Sequence, residues 1–126
     1  MWVAALLACA PQHDSPAAAY RAFVRSVADR DAERAWGLLS SDTQAWLEAR
    51  ARAAASAAPG VVVSNPQELL LGAASRSARP LVSVVVLRES RDVAVVEAEE
   101  EGGAKRRVEM VRQGGWRVRI PAPESR

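Results

Sequence analysis

From Leu81 to Ile120 the chain reads LVSVVVLRESRDVAVVEAEEEGGAKRRVEMVRQGGWRVRI, and this stretch decides the fold. Leu81–Leu87, Val93–Ala98, Arg106–Arg112 and Trp116–Ile120 are valine-rich or alternating runs with the two-residue period of strands. Turn signals separate them: Glu89–Arg91, Gly102-Gly103 and Gln113-Gly114-Gly115. Connections this short join antiparallel neighbours, so the four strands are predicted to form a meander. Pro121 and Pro123 close the last strand.

Register follows from the apolar pattern. A two-residue Gly114-Gly115 turn would set Met110 against Arg119. A three-residue loop, Gln113–Gly115, sets Met110 against Val118, Val108 against Ile120 and, on the other face, Glu109 against Arg119. A slip of one residue exchanges faces, so the pattern selects the longer loop. For the middle hairpin a Gly102-Gly103 turn is predicted, pairing Glu100 with Lys105 and Glu99 with Arg106. In that arrangement Glu97 shares a face with Val93 and Val95.

Upstream the period is helical. Ser15-Pro16 supplies a cap and a proline at the first helical position, and Tyr20, Phe23, Val24 and Val27 form one apolar stripe to about Asp29. Asp31 caps a short helix carrying Ala35, Trp36, Leu38 and Leu39. Ser41-Asp42-Thr43-Gln44 reads as a capping box, with Ser41 the cap, opening a helix to about Ala57 that Pro59-Gly60 stops. Asn65-Pro66-Gln67-Glu68 starts another helix, predicted to end at Gly72 and to be followed by a loop from Ala73 to Arg79.

Composition bounds the function. A length of 126 residues suits one domain, and a net charge of +2 gives no reason to expect a polyanion partner. Arg106, Arg107, Arg117 and Arg119 have acidic cross-strand neighbours and no interleaved aromatics, which argues against nucleic acid. The abundance of arginine and alanine is what a GC-rich genome encodes. Cys9 and His13 are the single cysteine and histidine, and both precede the first helix. No metal site, cofactor site, disulfide or histidine base is therefore expected in the folded part.

The N-terminal run Met1–Ala8 ends in Leu6-Leu7-Ala8-Cys9, which resembles the lipobox of bacterial lipoproteins. That resemblance implies cleavage before Cys9, lipidation of its thiol and a membrane-anchored place in the bacterial cell envelope. Eight residues without Lys or Arg are short for a signal peptide, so the true start is expected upstream of Met1. A buried cysteine in an apolar segment is the other reading. The expected division is residual signal peptide 1–8, lipidated cysteine and tether 9–14, domain 15–121 and tail 122–126.

Ala18–Phe23, the segment Asp29–Ser40 with its Leu-Leu-Ser ending, and Gly114–Val118 with its Gly-Gly-Trp-Arg-Val resemble the nuclear transport factor 2-like (cystatin-like, SnoaL-like) superfamily. The resemblance implies an α+β fold: N-terminal helices packed on a curved four-stranded antiparallel meander shaped as a cone. It lies closest to small bacterial lipoproteins of that superfamily without an assigned function. Its motifs concern packing and carry no chemistry. Tyr20, Trp36, Trp46, Met110 and Trp116 are the candidates to line a cavity, although tryptophans in so alanine-rich a chain more often simply form the core. Trp116 is expected to pack on the first helix. For an enzyme, Glu97, with Asp92 nearby, is the candidate inward carboxylate; a solvated position at the sheet rim is the favoured reading, since no partner donor can be named. The favoured expectation is a non-catalytic, membrane-tethered module that binds a small apolar ligand or an envelope protein. The alternative is a small isomerase- or cyclase-like enzyme using a buried carboxylate.

Overall fold

The computed structural model describes residues 14–58, 60, 65–77 and 79–121. Four helices precede a four-stranded antiparallel sheet: α1 (Pro16–Ala28), α2 (Ala32–Gly37), α3 (Ser41–Ala57), α4 (Pro66–Ser77), β1 (Leu81–Glu89), β2 (Val93–Glu100), β3 (Lys105–Arg112) and β4 (Trp116–Arg119). The strands lie in the order β1-β2-β3-β4, so the chain is an α+β fold with a meander. Cys9 lies outside the described residues, and no described helix is long and apolar enough to cross a membrane.

Capping residues set the helix starts. The Ser15 hydroxyl accepts a bond from the Ala18 amide at 3.0 Å, and the Asp31 carboxylate accepts from the Arg34 amide at 3.2 Å. α1 ends in a Schellman motif: the Arg30 amide bonds to the Val27 carbonyl and the Asp31 amide to that of Ser26. This places Arg30 in the left-handed region, with φ of 57°. α3 corrects the expected cap. Ser40, not Ser41, receives the Thr43 amide, and the Gln44 side chain donates to the Trp36 carbonyl at 2.8 Å instead of reaching back. α4 also departs from expectation, because it runs through Gly72 to Ser77. Leu70 and Ala74, one turn apart, pack on the core, and tertiary burial outweighs the ~1 kcal/mol cost of a helical glycine.

The last hairpin has the register expected of a three-residue loop. Glu109 faces Arg119 and Met110 faces Val118. The Gln113 amide bonds to the Gly115 carbonyl at 2.8 Å across it. The middle hairpin is one residue out from expectation. Its loop is Glu101–Gly103, closed by the Glu100 amide on the Ala104 carbonyl, with φ of 100° and 92° at Gly102 and Gly103. Glu99 therefore pairs with Lys105, Ala98 with Arg106 and Glu97 with Arg107. Ala94, Val96, Ala98 and Glu100 form the buried face of β2, and Val93, Val95, Glu97 and Glu99 the opposite face.

The edge of β4 is covered by the segment between α2 and α3. Leu39 forms a parallel bridge with Val118, the Val118 amide donates to the Leu38 carbonyl at 2.7 Å, and the Ser40 amide donates to the Val118 carbonyl at 2.8 Å. Arg117 adds a bond to the Gly37 carbonyl. At the other edge, the pairing of β1 with β2 shifts around Val82 and again around Leu87. The core lies between the helices and the sheet, built on Tyr20, Phe23, Val27, Leu39, Leu47, Leu70, Val84, Met110, Trp116 and Val118.

Candidate functional site

A cavity of about 890 Å³ lies between α1, α3, α4 and the core face of the sheet. α1 gives its apolar stripe to one wall, since Tyr20, Phe23, Val24 and Val27 recur every three or four residues. α3 contributes Trp46 and Leu47, α4 contributes Leu69 and Leu70, and the sheet contributes Val108 and Val118. Exposed Arg50, Arg79 and Ile120 carry the lining out to solvent. The volume lies within the range of small-molecule sites, which are mostly apolar with a few polar groups.

The polar groups converge on the end of β2. Glu100 is buried, and its carboxylate meets the Arg106 guanidinium at 3.4 Å. Tyr20 shares this environment. Burial pushes its hydroxyl above the ordinary value; Arg106 opposes the shift and Glu100 adds to it. Glu100 is the only buried carboxylate among the described residues. No three His, Cys, Asp or Glu side chains come together among them.

Of the residues nominated from sequence, Tyr20 and Trp46 line the cavity. Trp36 packs against the core from a half-buried position, while Met110 and Trp116 are buried within it. Trp116 is 1% exposed, with the Arg112 guanidinium over its ring at 4.7 Å, and its indole N–H has no hydrogen-bond partner among the described residues. Glu97 lies on the sheet face away from the core, 3.7 Å from Arg107. Asp92 is exposed in the turn between β1 and β2, where its carbonyl receives the Arg112 amide. The carboxylate facing the cavity is therefore Glu100, which the reading of the sequence passed over.

The signal for Glu100 was present. A two-residue middle turn sets Val108 opposite Glu97, a carboxylate against a valine on the dry face. The register seen puts Val108 opposite Val96 and Met110 opposite Ala94. The facial test that fixed the last hairpin selects this register too.

The four arginines whose acidic neighbours argued against nucleic acid are engaged. Arg106 and Arg107 pair with Glu100 and Glu97, and Arg119 meets Asp42 at 2.9 Å and Glu109 at 3.2 Å. Arg117 donates to the carbonyls of Gln113 and Gly37. The Asp42 carboxyl is held below its ordinary value, first by the Ser40 hydroxyl, with Arg119 contributing. No family model matches the chain, and no curated protein or solved structure is significantly similar to it.

Proposed function

We propose that the chain is a non-catalytic binding domain that takes a small, largely apolar ligand into the cavity between helices and sheet. The observation that carries this reading is the cavity itself: about 890 Å³, walled by Tyr20, Phe23, Trp46 and Leu70. The order of helices before a meander supports assignment to the cystatin-like cone of the nuclear transport factor 2-like superfamily. The Leu6-Leu7-Ala8-Cys9 run supports a lipid tether at Cys9 in the bacterial cell envelope. The test is titration of the full chain with a neutral apolar fluorophore, N-phenyl-1-naphthylamine. Saturable binding at one site, abolished in Ala73→Trp with the melting temperature kept, is expected. Absence of saturable binding overturns the reading. For the tether, membrane partitioning and a lipid mass on Cys9, both lost in Cys9→Ser, are expected after expression in a bacterium.

A second reading, a small isomerase- or cyclase-like enzyme, draws on Glu100 as a carboxylate facing the cavity. The Arg106 guanidinium pairs with that carboxylate at 3.4 Å and so engages it in the fold, which favours the binding reading.

A further inference from the structure

Among the described residues five arginines border the cavity, Arg50, Arg79, Arg106, Arg107 and Arg119; the carboxylate of Glu100 lies with Arg106 on the core face, whereas Arg107, Arg119 and Glu109 reach the rim from the other face of the sheet. Three of the five are spent on the fold. Arg106 and Arg107 each have a glutamate partner, and Arg119 has Asp42 and Glu109. Arg50 and Arg79 differ, since neither has a carboxylate partner among the described residues. Arg50 lies over the Trp46 ring with 5.7 Å from guanidinium carbon to centroid. Stacking uses the flat face of a guanidinium and leaves its edge N–H donors available. Arg79, where the chain leaves α4 for β1, has no hydrogen bond, ion pair or ring contact with the described residues.

We infer that the cavity takes an amphiphile with an acidic head: an apolar chain lies along α1 and Trp46, and a carboxylate is held at the mouth by Arg50 and Arg79. This inference rests on the cavity being a ligand site. A neutral apolar ligand would leave two cations at the mouth with water alone. A cationic one would meet them as like charges in a partly desolvated position. A carboxylate matches the fork of donors that each guanidinium presents. The carboxylates of Glu100 and Glu109 do not cancel this preference, because arginines already neutralise both.

The experiment is calorimetric titration of the full chain with three probes of one chain length: decanoate, 1-decanol and decylamine. Decanoate is expected to bind about tenfold more tightly than 1-decanol, and decylamine most weakly. The advantage of decanoate should shrink as salt is raised, since charges at the mouth are screened. In Arg50→Gln/Arg79→Gln, with folding checked by melting temperature, the affinity for decanoate should fall to the level of the alcohol. Arg50→Lys/Arg79→Lys should recover part of the loss. Equal binding of the three probes would overturn the acidic-head inference and leave the binding reading standing. A preference for decanoate that survives the double Gln variant would also overturn it. Failure of all three probes to bind would overturn both.

Discussion

Thr43 and Ile120 exchange two hydrogen bonds through one hydroxyl. The Ile120 amide donates to Thr43 Oγ1 at 2.9 Å, and the same hydroxyl donates to the Ile120 carbonyl at 3.2 Å. The hydroxyl thus continues past β4 the backbone ladder that Leu38 and Ser40 make with Val118.

Thr43→Val keeps shape and removes both bonds, together with the one that the hydroxyl accepts from Ser40 at 3.0 Å. Thr43 is 1% exposed, so the loss leaves backbone groups of Ile120 without their partner in a part-buried place. The expected cost is on the order of 1–3 kcal/mol by denaturant unfolding. Thr43→Ser, which keeps the hydroxyl, should recover most of it. Equal stability of Thr43→Val and the parent would show that water replaces the hydroxyl freely.

Trp116→Ala should cost about 3–5 kcal/mol, since a fully buried indole has no neighbour able to fill its space in so alanine-rich a core. For a domain of ordinary marginal stability that unfolds much of the population. Trp116→Phe should be far milder, because the indole N–H makes no bond to lose among the described residues. Melting temperatures of the two variants decide the matter. A Trp116→Ala protein that melts with the parent would place Trp116 outside the core.

Tyr20 is the single tyrosine, so its ionisation can be followed by ultraviolet absorbance. Its midpoint should lie above the ordinary value near 10, chiefly through burial. Glu100→Gln should move it down and Arg106→Gln up, because Glu100 raises it and Arg106 lowers it. A group with a raised folded value gives stability that is complete below its unfolded value and lost as pH rises through the folded one. Alkaline destabilisation beginning near pH ~10 should therefore track Tyr20 and diminish in Tyr20→Phe. An ordinary midpoint would mean that Tyr20 is solvated.

Arg30→Gly should stabilise the protein by about 0.5–1 kcal/mol, as the left-handed conformation costs an ordinary residue more than glycine. Arg30→Ala should bring no gain. Thermal melts of the two variants separate backbone relief from loss of the side chain. Stabilisation in the alanine variant alone would reject the backbone account.

Much of this fold was legible because the deciding signals are local. Ser15 and Asp31 cap from within three residues of their targets, and the Gln113–Gly115 loop is set by residues that face one another across it. What escaped depends on distant parts of the chain. Ser40 rather than Ser41 starts α3 because the Val118 carbonyl holds the Ser40 amide, a partner on another element. α4 outruns Gly72 because the core rewards Ala74. Of the nominated residues, Tyr20 and Trp46 line the cavity, Tyr20 from the apolar stripe of the first helix. Met110 and Trp116 lie in the core, where Trp116 was also expected from its packing on the first helix; large apolar side chains serve a core and a cavity wall alike, and only packing tells which.

The two margins of the sheet have a consequence for how the molecule meets others. One margin is taken up by its own chain at Leu38–Ser40, and the other keeps regular pairing only over Ser83–Val86 between its two irregularities. A visiting strand finds no long template on either side. Contact with another molecule then falls to side chains rather than to backbone pairing. Molecules held side by side on one surface would find no long shared run along which to join one sheet to the next.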